Sequence, residues 1–452
     1  MISICKPIEA VGRLIEKEKI RQNTDYRLSI HCVMRTTEEG VLLYHTLTCE
    51  LVLLVDEEAT LLRRLPAGVP ESLKELALKR FLVPVDADEM KYCDQLQHIV
   101  ALAGSADDAV TAYTIFTTTD CNARCFYCYE MGRSRGTMSK STAKAVAEYI
   151  VKHSRNKPVE LSWFGGEPLL NIEAIDIITH ILRENGIEYT SKITTNGYLL
   201  DAELIRRAKN EWNPKYIQIT LDGTEDTYNQ RKAYIYQEGS AYRRVMRNIR
   251  ILLDEGIPLS IRLNMDMGNS EDLHQLVREL SDKFGAYKNL YVYASTFYET
   301  PELDCYVEED EELSREFDAL TEHIDQCGLG IARGVPRSLK YSQCMADNDS
   351  SVTITPEGRL GKCEHFSETE EMYGDVRSEN KDLAMIESWK ETYAILPECK
   401  TCFYYPRCFR LKKCPFGIHG EECTSEFRAG IQGMLQDAMI NSFEKWKAET
   451  TN

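Results

Sequence analysis

The stretch "TTDCNARCFYCYE" (Thr118–Glu130) decides how the rest of this chain is read. It sets Cys121, Cys125 and Cys128 within eight residues of a 452-residue chain that holds 16 cysteines. Immediately before it, "YTIFTTT" (113–119) is β-branched and apolar, which signals a strand. The three thiols therefore stand on the loop that leaves a strand. A disulfide scaffold, a zinc knuckle and a cluster site are all open readings. Structural zinc usually takes four N or S ligands, and only three thiols are close here. Three thiolates in a tight loop can bind three irons of a cubane cluster and leave the fourth iron to another ligand.

Working outward, short apolar runs recur: "VELSWFGG" (159–166), "SKITTNG" (191–197), "YIQITLDG" (216–223), "LSIRLNMD" (259–266) and "LYVYAST" (290–296). Helical stretches separate them, among them "SKSTAKAVAEYIVKHS", "IEAIDIITHILREN", "DAELIRRAKN", "YRRVMRNIRILLDEG" and "SEDLHQLVRELSDKFG". Strand–helix alternation predicts βαβ units and a parallel sheet. Six such units fit a partial (β/α)6 barrel or an open doubly wound sheet. Polar and glycine residues gather at the C-terminal ends of the strands, where such folds place their sites.

The flanks differ in character. Residues 1–105 hold the β-rich runs "YRLSIHCVMR" and "GVLLYHTLTCELVLLV", with "TEEG" as a turn between them. "PESLKELALKRFLVPVDADEM" reads as a helix leading into a short extended segment, and "GSADDA" (104–109) as a linker. Residues 306–330 carry an acidic helix whose charge suits a solvated face. From 340 to 425 the chain is loop-rich and dense in cysteine, and 425–447 reads as a C-terminal helix.

Composition narrows the function classes. The length suggests roughly three domains, and 43% hydrophobic residues supply ample cores. A balance of 54 basic against 72 acidic residues, net −18, argues against nucleic acid or an anionic membrane as partner. No apolar run approaches the roughly 18 residues of a membrane span, and "MISICKPIEA" does not read as a signal peptide. A cytoplasmic location is expected. Stable disulfides are uncommon there, so clustered cysteines read first as metal ligands or redox groups. Cys5, Cys32, Cys49, Cys93 and Cys305 are scattered and read as incidental thiols.

"CNARCFYC" resembles the cluster motif of the radical S-adenosylmethionine (SAM) superfamily, C-x3-C-x-aromatic-C, with Tyr127 as the aromatic. "WFGGEP" resembles the GGEP motif of the same superfamily, and six strands match its partial barrel. The resemblance implies that Cys121, Cys125 and Cys128 hold a [4Fe–4S] cluster whose open iron binds SAM. It places backbone groups of Gly165, Gly166, Glu167 and Pro168 at the SAM amino nitrogen. Thr195, Asn196 and Gly197, Asp222 and Gly223, and Arg262 and Asn264 would lie near the ribose, carboxylate and methionine portion. The planar fork of an arginine suits a carboxylate.

The C-terminal cysteines read Cys344-x13-Gly358-x4-Cys363, then Cys399-x2-Cys402-x5-Cys408-x5-Cys414-x8-Cys423. This resembles the seven-cysteine SPASM domain of peptide-modifying radical SAM enzymes, although the gap before Cys414 is x5 where x3 is common. The resemblance implies two auxiliary [4Fe–4S] clusters. Cys399, Cys402, Cys408 and Cys423 would ligate the second, and Cys344, Cys363 and Cys414 the first. Seven ligands are one short of eight. Either Cys327 completes the first cluster, or one iron stays open for a substrate thiolate.

The implied fold is α/β. It has a winged-helix-like α+β module (1–105) that binds a leader peptide by strand addition, and a radical SAM partial barrel (106–305). A bridging helix region (306–340), a SPASM domain (341–425) and a C-terminal helix (426–452) follow. The implied activity is modification of a ribosomally made precursor peptide by 5′-deoxyadenosyl-radical hydrogen abstraction, with a cysteine thioether as the leading product. Formylglycine formation, carbon–carbon crosslinking, epimerisation and a non-catalytic zinc scaffold are the alternatives. Ferredoxin or flavodoxin is the expected electron donor. The sequence singles out no catalytic base.

Overall fold

The structure is a computed structural model, and it describes the chain apart from residues 7–18, 106–107, 131–133, 237, 298–310, 332, 340–341, 343, 366–370, 415–416, 419–422 and 451–452. Cys305, the middle of the expected linker and the start of the acidic helix lie outside the described residues. The chain divides into two compact units. One comprises Asp108–Ile331 and Asp349–Glu387, and the other Met1–Asp107, Ala332–Asn348 and Ser388–Asn452.

In the first unit the six strand signals become β1 (Ala112–Thr118), β2 (Val159–Gly165), β3 (Tyr189–Thr195), β4 (Pro214–Leu221), β5 (Leu259–Met265) and β6 (Leu290–Thr296). They lie side by side in chain order, all parallel. A doubly wound sheet reverses its strand order at a switch point. This sheet does not, so right-handed crossovers carry every helix to the same face. The result is the α/β partial barrel.

The pleat sorts the side chains. Val159, Leu161 and Trp163 of β2 and Ile217, Ile219 and Leu221 of β4 are buried against the helices. The alternate residues Glu160, Ser162, Lys192, Gln218 and Thr220 are only partly buried. Trp163 pairs with Ile115 on one side and Ile193 on the other, so its indole sits in the middle of the core layer.

The covering helices are α1 (Lys140–His153), α2 (Ile172–Glu184), α3 (Ala202–Arg207), α4 (Glu225–Lys232), α5 (Ala241–Asp254), α6 (Ser270–Phe284) and α7 (Glu311–Gln326). Their starts follow capping chemistry. Ser139 accepts from Thr142 N, Asp201 from Glu203 N and Leu204 N, and Ser240 from Arg243 N. In α5, Val245, Met246, Ile249, Leu252 and Leu253 recur at helical spacing and are buried. Burying each such side chain contributes about 1.5–3 kcal/mol. The short polar helix α4 has no such stripe, and the sequence reading missed it.

Three more strands extend the sheet past β1. β7 (Ser351–Ile354) runs parallel to β1, and β8 (Arg359–Gly361) and β9 (Gly374–Asp375) follow antiparallel. The stretch "TPEGRLGKC" (355–363) forms the turn after β7 together with β8. Gly358 turns it with φ +92°, a conformation that favours glycine.

The second unit holds two antiparallel sheets. One orders its strands Ile2–Cys5, Glu50–Leu54, Gly40–His45 and Cys32–Thr37, and the other Ala67–Gly68, Asp25–Leu28 and Leu82–Pro84. The larger sheet is apolar on both faces. Val41, Leu43, Val52 and Leu54 pack with Leu73, Leu76 and Phe81. Leu42, Tyr44, Leu51 and Leu53 pack with Leu435, Met439 and Phe443 of the C-terminal helix Ser425–Thr450. The extended stretch and linker expected after residue 85 are instead largely helical, over Glu89–Ser105. Cys93 and Leu96, three residues apart, are buried there against Leu47, Cys49, Leu339 and Tyr405, and this burial favours the helix.

Candidate active site

The loop after β1 carries Cys121, Cys125 and Cys128, and all three line a cavity of about 440 Å3 in the barrel unit. Cys128 N donates to Cys125 O at 3.2 Å, which closes the loop into a turn. Ala123 N lies 3.4 Å from Cys121 Sγ, and Asn196 Nδ2 lies 4.0 Å from the same sulfur. Burial pushes the Cys121 thiol up to about 12 and raises Cys128 as well. Among the described residues, no three His, Cys, Asp or Glu side chains converge where one metal ion would sit.

The GGEP segment is laced to this loop by backbone. Gly166 N donates to Thr118 O at 3.1 Å and Glu167 N to Asp120 O at 2.8 Å. Gly165 has φ +122°, and a Cβ there would meet Thr118 O at 2.1 Å. A Cβ on Gly166 would lie 2.4 Å from Asp120 O. Both glycines line the cavity, whereas Glu167 and Pro168 stand behind its wall. Glu167 is fully buried. It accepts from Thr195 Oγ1 (2.7 Å), Asn196 N (2.8 Å) and Leu169 N (3.1 Å). Burial pushes its carboxyl up to about 7 against the pull of these donors. Pro168 contributes its carbonyl, which accepts from Thr117 Oγ1 at 2.9 Å.

Thr195, Asn196, Arg262, Asn264 and Tyr127 line the cavity as well. Asn196 Nδ2 donates to Asn122 Oδ1 at 2.6 Å, while the buried Asn122 Nδ2 has no partner among the described residues. Asp222 is different. It is fully buried and is not part of the lining; its carboxylate accepts from Tyr127 Oη and from Asn264 Nδ2 (3.1 Å). It fixes the wall from behind.

Lys232, the last residue of α4, completes that wall. Nothing in its sequence context sets it apart from other lysines. Its Nζ donates to Tyr127 Oη and Thr220 Oγ1, both at 2.8 Å, and lies 3.4 Å from Asp222 Oδ1. The sequence reading also missed lumen-facing Lys192, Gln218 and Tyr293. Strict alternation in "KITT", "YIQIT" and "LYVYA" was the available signal. Tyr293 Oη donates to Gln218 Oε1 at 2.9 Å, and Lys192 pairs with Glu160. Glu364 and His365, just past Cys363, reach the same cavity, and the His365 ring sits 4.9 Å from Tyr129.

The remaining cysteines fall in both units. Cys399, Cys402, Cys408 and Cys423 are near neighbours in the second unit. Burial first, then Cys402, Cys423 and Cys399, push the Cys408 thiol up to about 11, while Arg410 opposes them. Cys344 and Cys414 belong to the same unit, and Cys363 and Cys327 to the barrel unit. Cys344 N donates to Asp347 Oδ1 at 2.8 Å. Cys327 follows α7 and packs against the apolar core of the barrel unit.

Residues 115–280 match the family model of the Radical SAM superfamily. This chain carries a radical SAM domain. The radical SAM fold is an α/β partial barrel, the superfamily is one of enzymes, and its members use SAM and a [4Fe–4S] cluster. An uncharacterized protein of Methanocaldococcus jannaschii is 27% identical over 178 residues, which cover 38% of this chain and 59% of that protein. The chain thus spans only a little over half the length of that relative. Among solved structures, native anSMEcpe with bound AdoMet and Cp18Cys peptide is 14% identical with a TM-score of 0.54, over 73% of this chain and 99% of that one. Streptococcus suis SuiB bound to precursor peptide SuiA is 13% identical with a TM-score of 0.50, over 85% and 94%. At such identities the likeness is one of fold. Among the described residues, no helix is long and apolar enough to cross a membrane.

Proposed function

We propose that this chain is a radical SAM enzyme of the SPASM type that modifies a ribosomally made precursor peptide, forming a cysteine thioether. The carrying observation is the cavity at the C-terminal ends of the strands, which three closely spaced thiols line together with two glycines. The residues suit SAM on a cluster. The loop offers three thiols and no fourth, Gly165 and Gly166 leave room where any Cβ would strike backbone, and Asn122 Nδ2 is an unused buried donor. The cavity volume falls in the range of small-molecule sites.

When bound, SAM and its cluster supply hydrogen-atom abstraction by a carbon radical. The chain's own residues position and shield that chemistry. Cys121, Cys125 and Cys128 hold the cluster. Backbone at Gly165 and Gly166 and the side chains of Thr195, Asn196 and Asn264 hold the nucleoside and amino ends, and Arg262 offers its fork to the carboxylate. Glu167, Pro168 and Asp222 act from behind the wall. Tyr127 stacks on Phe297 with ring centroids 4.2 Å apart, which closes one side against water.

Cys399, Cys402, Cys408 and Cys423 would hold one auxiliary cluster, and Cys344, Cys363 and Cys414 a second with an open iron for the substrate thiolate. The core packing of Cys327 supports the open version. Among the described residues the strand Leu82–Pro84 pairs on one side only and offers an edge for the leader peptide. The peptides bound in the two solved structures above support a peptide substrate. A ferredoxin or flavodoxin would deliver the electron, and a cytoplasmic location fits such a donor.

The test is anaerobic reconstitution, iron and sulfide analysis, and incubation with SAM, reductant and the candidate precursor peptide. About 12 irons per chain are expected for three cubane clusters. The peptide should lose one pair of hydrogens and one free thiol, with 5′-deoxyadenosine formed in step. An aldehyde product would assign the formylglycine reading instead, and a colourless protein holding only zinc would overturn the enzyme.

A further inference from the structure

One buried charge on the cavity wall is given no role in the proposed function. Lys232 is 3% exposed, yet it lines the cavity together with all three thiols of the loop. Removing an ammonium from water costs several kcal/mol unless an anion and good acceptors replace the solvent. Asp222 and two hydroxyls do so here. The ammonium forms an ion pair with the Asp222 carboxylate at 3.4 Å.

The pair is not electrically neutral from the cavity's side. Lys232 faces the cavity, whereas Asp222 lies behind the wall and is fully buried. The Lys232 backbone oxygen is 3.9 Å from Cys125 Sγ and accepts from Arg124 N at 2.9 Å, so α4 is pinned to the cysteine loop. Coulomb energy falls with distance, so the nearer charge of a dipole decides its sign at the thiols.

We propose that the Lys232–Asp222 pair tunes the reduction potential of the cluster held by Cys121, Cys125 and Cys128, with Lys232 raising it and Asp222 lowering it. The inference rests on reading those thiols as cluster ligands. The step concerned is uptake of one electron by the cluster from a one-electron reductant, which makes the cluster more negative by one charge. A cation at the wall favours the reduced form, and an anion behind it opposes. Net charge and hydrogen bonds around such clusters are among the factors that set their potentials. Lys232 is thus an electrostatic positioning residue, not a catalytic one.

The test is an EPR-monitored potentiometric titration of the reconstituted full chain, with iron content measured in parallel. The signal followed is the one missing from the triple Cys121, Cys125 and Cys128→Ala variant. Lys232→Met should lower the midpoint until the reduced-to-oxidised ratio at a given potential drops about tenfold, which is about 59 mV for one electron. Lys232→Arg should restore it, and Asp222→Asn should move it upward. Lys215→Met removes an exposed cation and should change nothing. Shifts of the same sign in Lys232→Met and Asp222→Asn, or none in either at wild-type iron content, would overturn the inference. If Lys232→Met loses iron, Asp222→Asn alone decides, an upward shift supporting the pair's role and no shift ending it. A triple alanine variant that keeps the full signal would instead remove the cluster reading itself.

Discussion

At the scale of single residues, the buried carboxyl of Glu167 makes the clearest demand on solution behaviour. Its folded value of about 7 lies above the ordinary 4.5, so the folded chain holds this proton more tightly than the unfolded chain. The stabilising contribution is complete below pH 4.5 and is lost as the pH rises through 7. A shift of this size corresponds to roughly 3 kcal/mol. Urea unfolding of the metal-free protein should show that loss between those limits, and Glu167→Gln should flatten it. Equal slopes in both proteins would assign the pH dependence elsewhere. The cysteine loop and the GGEP glycines were legible as residues because spacing and glycine are local signals. Lys232 was not, since its value comes from Tyr127 and Asp222, which are remote in sequence and meet it only in the fold. Asp222 illustrates the converse: the family resemblance implied a place near SAM, and the structure turns the carboxylate inward.

At the scale of elements, recurring apolar and β-branched runs located all six barrel strands to within a few residues, because each buries most of one face against the helices. Trp163 is the largest side chain on that face and is fully buried. Trp163→Ala should destabilise the barrel unit by about 3–5 kcal/mol, read as a fall in the denaturation midpoint. A change below about 1 kcal/mol would mean that the layer between β1 and β3 closes over the cavity. Helices with an apolar stripe and a serine or aspartate cap were equally legible. The helix Glu89–Ser105 was not, because its buried residues are small or sparse and its partners come from distant segments. The pairing of β7 with β1, Ser351 to Ile354 against Ala112 to Ile115, joins segments remote in sequence and so left no local signal.

At the scale of the whole molecule, the chain is built in two units, and one of them is assembled from three separate segments. Sequence reading follows the chain linearly and so divided it into consecutive pieces. The cysteine count is a property of this scale too. With Cys327 packed against the barrel core, Cys327→Ala should retain the iron content and cluster absorption of the parent protein. Loss of about one cluster's iron would make Cys327 the eighth ligand. The sheet of the second unit has a further consequence during synthesis. Leu42, Leu51 and Leu53 are made before the barrel, yet Leu435, Met439 and Phe443, which cover them, are made after it. At about 5–20 residues per second the nascent sheet waits on the order of tens of seconds with one oily face bare. The barrel is translated in full during that interval. A ribosome-bound chain stopped before Ser425 should therefore recruit chaperones, and should be cut by protease within its first hundred residues while the barrel resists.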